Sequence, residues 1–269
     1  MVIDVDSDGQ EAMLASEYDS NAEGFASSAH AIYARLAVPL VEAAGARDGE
    51  RVLDLATGTG AVGARLAGTV VGLDVSAEQL RQNPLTDKRV GTAEHMPFAD
   101  SSFDVVVCGF GINHFARPLA ALAEIKRVLA PGGRVALSTW LRPQPDYAPK
   151  VIVLSALERH AGRARTPASE AVDAMTERVG SVGALSGLLS GAGFATVRVT
   201  VEAVEVPWRG ADAFIDYRLA MLGAGAMLSS PAAEEELRRE VGAAIGALSS
   251  AQLHWLPQVL VATASLSDA

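Results

Sequence analysis

The sequence predicts an α/β fold, namely a Rossmann-like, doubly wound and mostly parallel sheet of seven strands whose last strand is antiparallel. Short apolar runs alternate with segments of helical periodicity between residues 51 and 140, which is typical of βαβ units. These runs are continuous, as expected for parallel strands that are buried on both faces. A glycine-rich turn follows the first run, where open α/β sheets bind ligands.

Residues 1–49 are predicted to form a helical cover ahead of the sheet. Phe25, Ile32 and Leu36 recur at helical spacing. Gly45 and Gly49 end the segment, since glycine is the usual residue just past a helix.

The Rossmann-like core is predicted to span residues 50–142. Its expected strands, in chain order, are Arg51–Leu55, Thr69–Asp74, Arg89–Gly91, Phe103–Gly109 and Arg134–Trp140. Its expected helices are Ala61–Ala67, Ala77–Gln82 and Pro118–Leu129. The second of these has an N-cap signature, with Ser76 before it and Gln79 three residues later.

Residues 143–180 are predicted to be a lid or substrate segment, with a helix over Val151–Ala161 and a polar, small-residue lid over Ala164–Gly180. Residues 181–269 complete the sheet. Val197, Val199 and Val201 alternate with polar residues, which predicts a sixth strand over Thr196–Val206. The remaining elements are expected to be a helix Val182–Leu189, a helical insertion 211–248 formed by Ala211–Leu222 and Ala232–Leu248, and a last strand Gln258–Ser265 antiparallel to the sixth.

Composition narrows the function classes. The net charge of −10 argues against a nucleic-acid partner and against docking on an anionic membrane. The single cysteine, Cys108, excludes an internal disulfide and a multi-cysteine metal site. The sequence shows no secretory signal and no apolar stretch of about 18 residues, so the cytoplasm is the expected location.

The glycine-rich turn Asp54–Gly60 has two interpretations. Gly58–Gly63 matches the G-x-G-x-x-G dinucleotide fingerprint, but Asp74 lies 14 residues after Gly60 rather than the expected ~20. Asp54 precedes the turn, and a carboxylate there would repel a pyrophosphate while favouring a cationic cofactor. S-Adenosylmethionine carries an amine and a sulfonium and no phosphate, so the residues favour it.

Five sequence blocks together resemble the ordered motifs of class I S-adenosylmethionine-dependent methyltransferases. The resemblance is greatest to the ubiquinone/menaquinone-biosynthesis and natural-product branch. The blocks cover residues 52–60, 71–76, 92–98, 102–106 and 125–133.

The resemblance implies that Asp54 faces the methionine amine, directly or through water, and that Asp74 binds the ribose hydroxyls. The implied cofactor-binding residues are Tyr18, Asp54, Ala56, Gly58, Gly60, Asp74, Val75, Thr92, Ala93, Glu94 and Phe110. The chain departs from the family at Ala56, which replaces the first glycine, and at Thr92, which replaces an aspartate. The adenine contact then falls to Glu94, to water or to a backbone carbonyl.

His114 is the candidate catalytic residue. Methyl transfer is an in-line displacement that needs a base only when the acceptor must lose a proton. His114 lies on the loop after the fourth strand, and an imidazole titrates near neutrality. A packing role in the loop is the alternative. No spacing of His, Cys or Asp residues predicts a metal site.

These observations predict S-adenosylmethionine-dependent methyl transfer to an oxygen or carbon of a fairly apolar small molecule, a secondary metabolite. The alternatives are a methyltransferase-fold cyclase or isomerase that retains the cofactor site, and a nicotinamide-dependent dehydrogenase. The expected partner is the small-molecule acceptor, with no nucleic acid and no membrane. A homodimer is a possible assembly.

Overall fold

A computed structural model describes residues 7–163, 166–222 and 228–266. Seven strands form one sheet in the order β3-β2-β1-β4-β5-β7-β6. Neighbouring strands from β3 to β5 are parallel, whereas β7 runs antiparallel to both β5 and β6. The predicted fold class, including the antiparallel last strand, is therefore confirmed. The strands are β1 Arg51–Leu55, β2 Thr69–Asp74, β3 Asp87–Val90, β4 Phe103–Gly109, β5 Leu129–Trp140, β6 Phe194–Ala203 and β7 Gln258–Leu266.

Helices cover both faces of the sheet. In the described residues they are α1 Ser7–Ser20, α2 Ala22–Gly24, α3 His30–Leu36, α4 Val38–Ala44, α5 Ala77–Gln82, α6 Pro118–Val128, α7 Ala148–Ala161, α8 Pro167–Val179, α9 Val182–Gly191, α10 Ala211–Met221, α11 Pro231–Gly246 and α12 Ser250–Leu253. A π-helical turn, Phe25–Ala29, joins α2 to α3. None of the described helices is long and apolar enough to cross a membrane.

The alternation of side chains along the central strands divides the core into two clusters. Val52 of β1 and Val105 of β4 pack on one face with α3, α4, α7, α10 and α11. Leu53 and Val106, one residue further along each strand, pack on the other face with α6 and α9. Both faces are thus apolar, as the continuous strand runs predict. Complete burial of each such side chain contributes about 1.5–3 kcal/mol.

The N-terminal cover and the helical insertion lie where the sequence predicts them. Helices α1 to α4 precede β1, and α10 to α12 lie between β6 and β7.

Arg134 of β5 connects the cover to the sheet through hydrogen bonds. Its guanidinium donates to the carbonyl oxygens of Ala44 and Gly45 at 2.8 and 2.7 Å, and to both carboxylate oxygens of Glu50 at 2.8 and 2.9 Å. It therefore satisfies carbonyl groups at the end of α4 that lack a helical partner.

The helix predicted over Ala61–Ala67 is wrong. The chain instead forms one 3-10 turn, Gly63–Arg65, and is extended again at Leu66. Two constraints shorten it. The amide of Gly63 donates to the Asp54 side chain. Gly68 then approaches the sheet so closely that a Cβ there would lie 2.5 Å from the carbonyl oxygen of Glu50.

The segment predicted to be a lid, Ala164–Gly180, is helical over most of its length. Pro167–Val179 forms α8, while residues 164 and 165 lie outside the described residues. Thr166 and Ser169 form a reciprocal capping box at its start, and Pro167 occupies the first turn. These local signals outweigh the low helix propensity of the small polar residues.

Candidate active site

A cavity lies at the carboxyl ends of β1, β2 and β4, beneath the N-terminal cover. Its walls come from the glycine turn, the end of β2, the segment around residue 93, the loop after β4 and the cover helices. The lining residues are Leu14, Tyr18, Phe25, Tyr33, Leu55, Ala56, Thr57, Gly58, Thr59, Ala61, Val62, Leu73, Asp74, Val75, Gln79, Gly91, Ala93, Glu94, Gly109, Phe110, Gly111, His114, Phe115 and Met221. We call this space the cofactor cavity.

The charged side chains in the described walls of this cavity are the carboxylates of Asp74 and Glu94, with no lysine or arginine. Such a surface favours a cationic ligand and is unfavourable to a pyrophosphate. Within the three described ranges, no group of three His, Cys, Asp or Glu side chains is placed to hold a metal ion.

Asp54 lies behind the glycine turn rather than in the cavity wall. It is fully buried, and its Oδ2 atom accepts hydrogen bonds from Thr57 Oγ1 at 2.5 Å and from the Gly63 amide at 2.8 Å. Its Oδ1 atom has no hydrogen-bond partner among the described residues. Burial raises the pKa of Asp54 to about 7, although the two hydrogen bonds oppose this effect. The position makes Asp54 the group that fixes the shape of the turn.

Asp74 lies in the cavity wall at the end of β2. Its Oδ2 atom accepts from the Gly58 amide at 2.7 Å, and its Oδ1 atom accepts from the Ser76 amide at 2.9 Å. Burial raises the pKa of this carboxyl despite these bonds. Each carboxylate oxygen can accept more than one hydrogen bond, so both remain available to a pair of ligand hydroxyls. Val75 lies beside it in the same wall.

Two amide side chains that sequence reasoning missed support the turn. Asn83 Nδ2 donates to Thr57 Oγ1 at 3.0 Å and to the Gly58 carbonyl at 2.9 Å. Gln79 lines the cavity, and its Oε1 atom would lie 2.8 Å from a Cβ at Gly58. Neither residue belongs to a recognisable cofactor motif, although the N-cap signature at Ser76 does place Gln79 in the first turn of α5.

The segment expected beside the adenine is only partly in the wall. Ala93 and Glu94 line the cavity, whereas Thr92 does not. The hydroxyl of Thr92 accepts a hydrogen bond from the His95 amide at 3.2 Å, which closes the local turn. Glu94 accepts from the Arg117 amide at 3.2 Å. Of the predicted adenine contacts, the structure therefore brings Ala93 and Glu94 to the cavity.

Only some of the predicted cofactor-binding residues in the glycine turn line the cavity. Ala56 and Gly58 line the cavity, whereas Gly60 lies outside its walls. Ala56 has a left-handed backbone, with φ of +55°, which explains why glycine is usual at this position. Phe110 also has a left-handed φ of +57°, and its ring packs against Tyr33 and Trp140 with centroids 5.2 and 4.9 Å apart.

The cover is bonded to the cofactor cavity at two points. Asp19 at the end of α1 accepts from Ser76 Oγ at 2.6 Å and from the Glu78 amide at 3.1 Å. His30 Nδ1 lies 2.8 Å from Thr59 Oγ1 in the glycine turn. These contacts place α1 and α3 over the cavity, so that the cover supplies its roof.

A second cavity adjoins the first, and we call it the acceptor cavity. Its walls come from the cover, from α7 and α8, from α10 and from the residues before β7. Six residues line both cavities and so surround the opening between them: Leu14, Tyr18, Phe25, Tyr33, His114 and Met221. The walls also contain the aromatic side chains Trp140, Tyr147, Tyr217 and Trp255.

Tyr18 and His114 meet at this opening. The Tyr18 hydroxyl lies 2.9 Å from His114 Nδ1, and the two rings pack edge to face with centroids 5.5 Å apart. Burial lowers the pKa of His114 to about 4, so its imidazole is neutral at pH 7. Burial raises the pKa of Tyr18 well above its usual range, so its phenol keeps its proton. The pair is a neutral donor and acceptor set at the junction of the two cavities.

Comparisons with known proteins show that the chain is similar to methyltransferases. A family model described as a methyltransferase domain matches residues 53–137. The ubiquinone/menaquinone biosynthesis C-methyltransferase of Rubrivivax gelatinosus is 33% identical over 201 residues, which are 69% of this chain and 77% of that protein. The demethylmenaquinone methyltransferase of Beutenbergia cavernae is 43% identical over 116 residues, covering 40% of this chain and 48% of that protein. The chain thus spans about half the length of the latter relative.

One solved structure gives the likeness of fold. It is a putative methyltransferase from an antibiotic biosynthesis pathway of Anabaena variabilis, with a TM-score of 0.58 and 17% sequence identity. The superposition covers 84% of this chain and 96% of that chain. The arrangement of sheet and helices is therefore shared over nearly the whole of the solved protein.

The buried carboxyl of Asp54 predicts a specific pH dependence of stability. Its pKa is raised in the folded chain, from 3.8 to about 7, so the folded state binds this proton more tightly than the unfolded state between those values. The contribution of this group to the free energy of unfolding should therefore fall as pH rises toward 7, by at most about 1.4 kcal/mol per pH unit. Asp54→Asn removes this contribution, so the pH slope of its stability should be more positive than that of the wild type, as measured by urea denaturation at several pH values between about 5 and 8.

Asp104→Asn is the matched control. Arg51 lowers the pKa of Asp104, so that carboxyl changes charge below its ordinary range and should leave the slope above about pH 5 unchanged. An identical pH slope in the wild type and in Asp54→Asn would show that Asp54 does not titrate in this window.

Proposed function

The chain belongs to the class I S-adenosylmethionine-dependent methyltransferases of the ubiquinone/menaquinone-biosynthesis type, and on that basis we propose that it transfers a methyl group to an oxygen or carbon of a fairly apolar small molecule, a secondary metabolite. S-Adenosylmethionine is the cofactor of this family, and it supplies an electrophilic methyl group on a sulfonium. The observation that carries the proposal is the pair of cavities that share one opening, because methyl transfer needs two ligands held in line.

The described walls of the cofactor cavity fit S-adenosylmethionine. Asp74 can accept hydrogen bonds from two ribose hydroxyls, and the turn at Gly58 presents backbone without a side chain. The two wall carboxylates favour the sulfonium and ammonium groups of the cofactor. A nicotinamide dinucleotide would place its pyrophosphate against the same carboxylates, so a dehydrogenase is disfavoured.

The opening between the cavities suits the transfer step. Leu14, Phe25 and Met221 contribute apolar side chains to its rim, and these exclude water from the reacting atoms. The cover and the insertion thereby hold the acceptor in line with the methyl group. Alignment of two reactants in this way lowers the barrier by up to about 7–11 kcal/mol.

His114 is proposed as the group that takes a proton from the acceptor. In the tautomer with hydrogen on Nδ1, His114 donates to the Tyr18 oxygen, and Nε2 becomes the atom that can accept a proton. The neutral imidazole has an open lone pair at pH 7, but its low pKa makes it a weak base. It therefore suits an acceptor with an acidic hydroxyl or carbon, such as a phenol or enol, better than an aliphatic alcohol.

The aromatic walls support a flat acceptor. Tyr147 and Trp255 stack with ring centroids 5.8 Å apart and an interplanar angle of 23°, and Trp140 lies in the wall on the side of Phe110. Apolar and aromatic walls with a few polar groups are typical of small-molecule sites. The relatives named above are quinone-biosynthesis enzymes, which is consistent with a ring-containing acceptor.

Cofactor binding tests the first half of the proposal. Calorimetric titration should show binding of S-adenosylhomocysteine and none of NAD⁺. Asp74→Ala should weaken S-adenosylhomocysteine binding by about 1–3 kcal/mol through loss of charge-assisted hydrogen bonds, whereas Asp212→Ala, on the exposed side of α10, should leave it unchanged. Binding of NAD⁺ without S-adenosylhomocysteine, or full affinity in Asp74→Ala, would overturn the assignment.

Turnover tests the second half. A panel of phenols, naphthols and enolic polyketides is screened for release of S-adenosylhomocysteine, and acceptor loss without that release would indicate cyclisation or isomerisation instead. With an accepted substrate, His114→Ala should lower kcat by about 10²–10⁴-fold and leave S-adenosylhomocysteine affinity nearly unchanged.

Wild-type kcat should stay flat as pH falls to about 5 and decline as pH approaches 4, because His114 then becomes protonated. Full activity in His114→Ala would remove the residue from the mechanism.

A further inference from the structure

We infer that the acceptor carries an anionic group, a carboxylate or an ionised phenol or enol, and that Arg218 in the wall of the acceptor cavity binds it. This inference rests on the proposed function and refines its substrate class. Arg218 lies on α10, in the insertion between β6 and β7, outside the motifs that the family resemblance covers.

The charges in the described walls of the acceptor cavity single out Arg218. The other four charged side chains there are all engaged. Arg142 donates to Asp173 at 2.8 Å and lies 3.6 Å from Glu177. Thr166 Oγ1 donates to the two carboxylate oxygens of Glu17 at 3.1 and 2.9 Å. Lys150 also has an interaction of its own.

Arg218, in contrast, forms no ion pair with any carboxylate of the described residues. Its Nε atom is buried and has no hydrogen-bond partner there. The guanidinium lies against Tyr217, 5.9 Å from the ring centre, and its other polar partner is the neutral Tyr217 hydroxyl. A partly buried guanidinium without an anion has lost hydration without a compensating charge, and an incoming anion restores that balance. Its planar array of donors matches a carboxylate in particular.

The position of Arg218 also suits a group attached to the reacting ring. Met221, at the opening between the cavities, lies three residues further along the same helix. Residues three apart lie on one face of an α-helix, separated by about 4.5 Å along its axis. An anionic group held by Arg218 thus lies about one helical turn from the opening, which matches a substituent on the ring that is methylated.

The surroundings fix this helix in place. Asn21 of the cover donates a hydrogen bond to the Ala220 carbonyl, between Arg218 and Met221. Tyr217 is buried and packs on Trp208 and Trp255, with centroids 5.5 and 5.8 Å apart. The guanidinium is therefore presented from a rigid aromatic base, which favours discrimination between ligands.

Three probes of similar ring size separate the possibilities: 1-naphthol, which is neutral at pH 7, 1-hydroxy-2-naphthoate, which adds a carboxylate, and 2,4-dinitro-1-naphthol, whose phenol is ionised. Binding is followed by tryptophan fluorescence on the full chain saturated with S-adenosylhomocysteine. We expect at least one of the two anions to bind 10-fold or more tightly than 1-naphthol. The anion that shows the preference identifies the group that Arg218 binds.

Arg218→Met keeps the length of the side chain and removes its charge. It should abolish the preference for the anion while the affinity for 1-naphthol and for S-adenosylhomocysteine stays the same. Arg239→Met, an exposed position on α11, is the matched control and should keep the preference.

Two results would overturn the inference: equal binding of all three probes by the wild-type protein, or an unchanged preference in Arg218→Met. Because S-adenosylhomocysteine binding is measured first, these failures are distinct from failure of the proposed function. A chain that binds S-adenosylhomocysteine but shows no preference for an anion remains a methyltransferase candidate with a neutral acceptor.

Discussion

The buried carboxyl of Asp54 is the constraint on which the site depends. One of its oxygens accepts hydrogen bonds from the Thr57 hydroxyl and from the Gly63 amide. These bonds hold the glycine turn closed on the side away from the cavity. With the turn closed, the Gly58 amide points at Asp74, and the two strand ends become one wall. The cost of burying this group shows in its raised pKa. Buried polar groups whose bonds are only partly satisfied are destabilising, and such groups cluster at functional sites.

The two cavities differ in the charged side chains that line them. The charged groups in the described wall of the cofactor cavity are carboxylates, whereas the wall of the acceptor cavity carries Arg218, which pairs with no carboxylate of the described residues. If the acceptor is anionic, as we propose, a cationic donor and an anionic acceptor are drawn to opposite sides of one opening. Between them lie neutral groups, Tyr18 and His114, together with apolar side chains. This layout brings opposite charges together only at the place where the methyl group is to move.

Local sequence patterns predicted the strands and the turn well, because continuous apolar runs and a glycine-rich turn are short-range signals. The same patterns failed where particular side-chain hydrogen bonds and close packing against the sheet decide the structure. The helix expected at Ala61–Ala67 gave way to a 3-10 turn because Asp54 holds Gly63 and Gly68 packs on the sheet. Asp54 was expected to face the ligand, but its partners within the turn place it behind the wall.

The acceptor side of the site was the least predictable. Leu14, Met221 and Arg218 meet around the two cavities from segments about 200 residues apart, and no spacing in the sequence shows that they do so. Asn83 supports the turn from the end of α5 with equally little local signal. The family resemblance covers the cofactor motifs, so it identified Asp74 and Phe110 in the cavity wall. The sequence predicted the cover and the insertion as elements, but apart from Tyr18 it did not show which of their residues line the cavities.

Calorimetric titration of S-adenosylhomocysteine against Gly58→Ala and Gly132→Ala tests the central claim most directly. Both glycines have left-handed backbones, with φ of +51° and +75°, so each substitution should cost a similar ~1 kcal/mol of stability. Only the first introduces a Cβ into the cofactor cavity, 2.8 Å from Gln79 Oε1, whereas the second meets nothing within 4 Å. We predict that affinity falls at least ~10-fold in Gly58→Ala and is unchanged in Gly132→Ala. Equal affinity in both variants would contradict the placement of the cofactor at this turn.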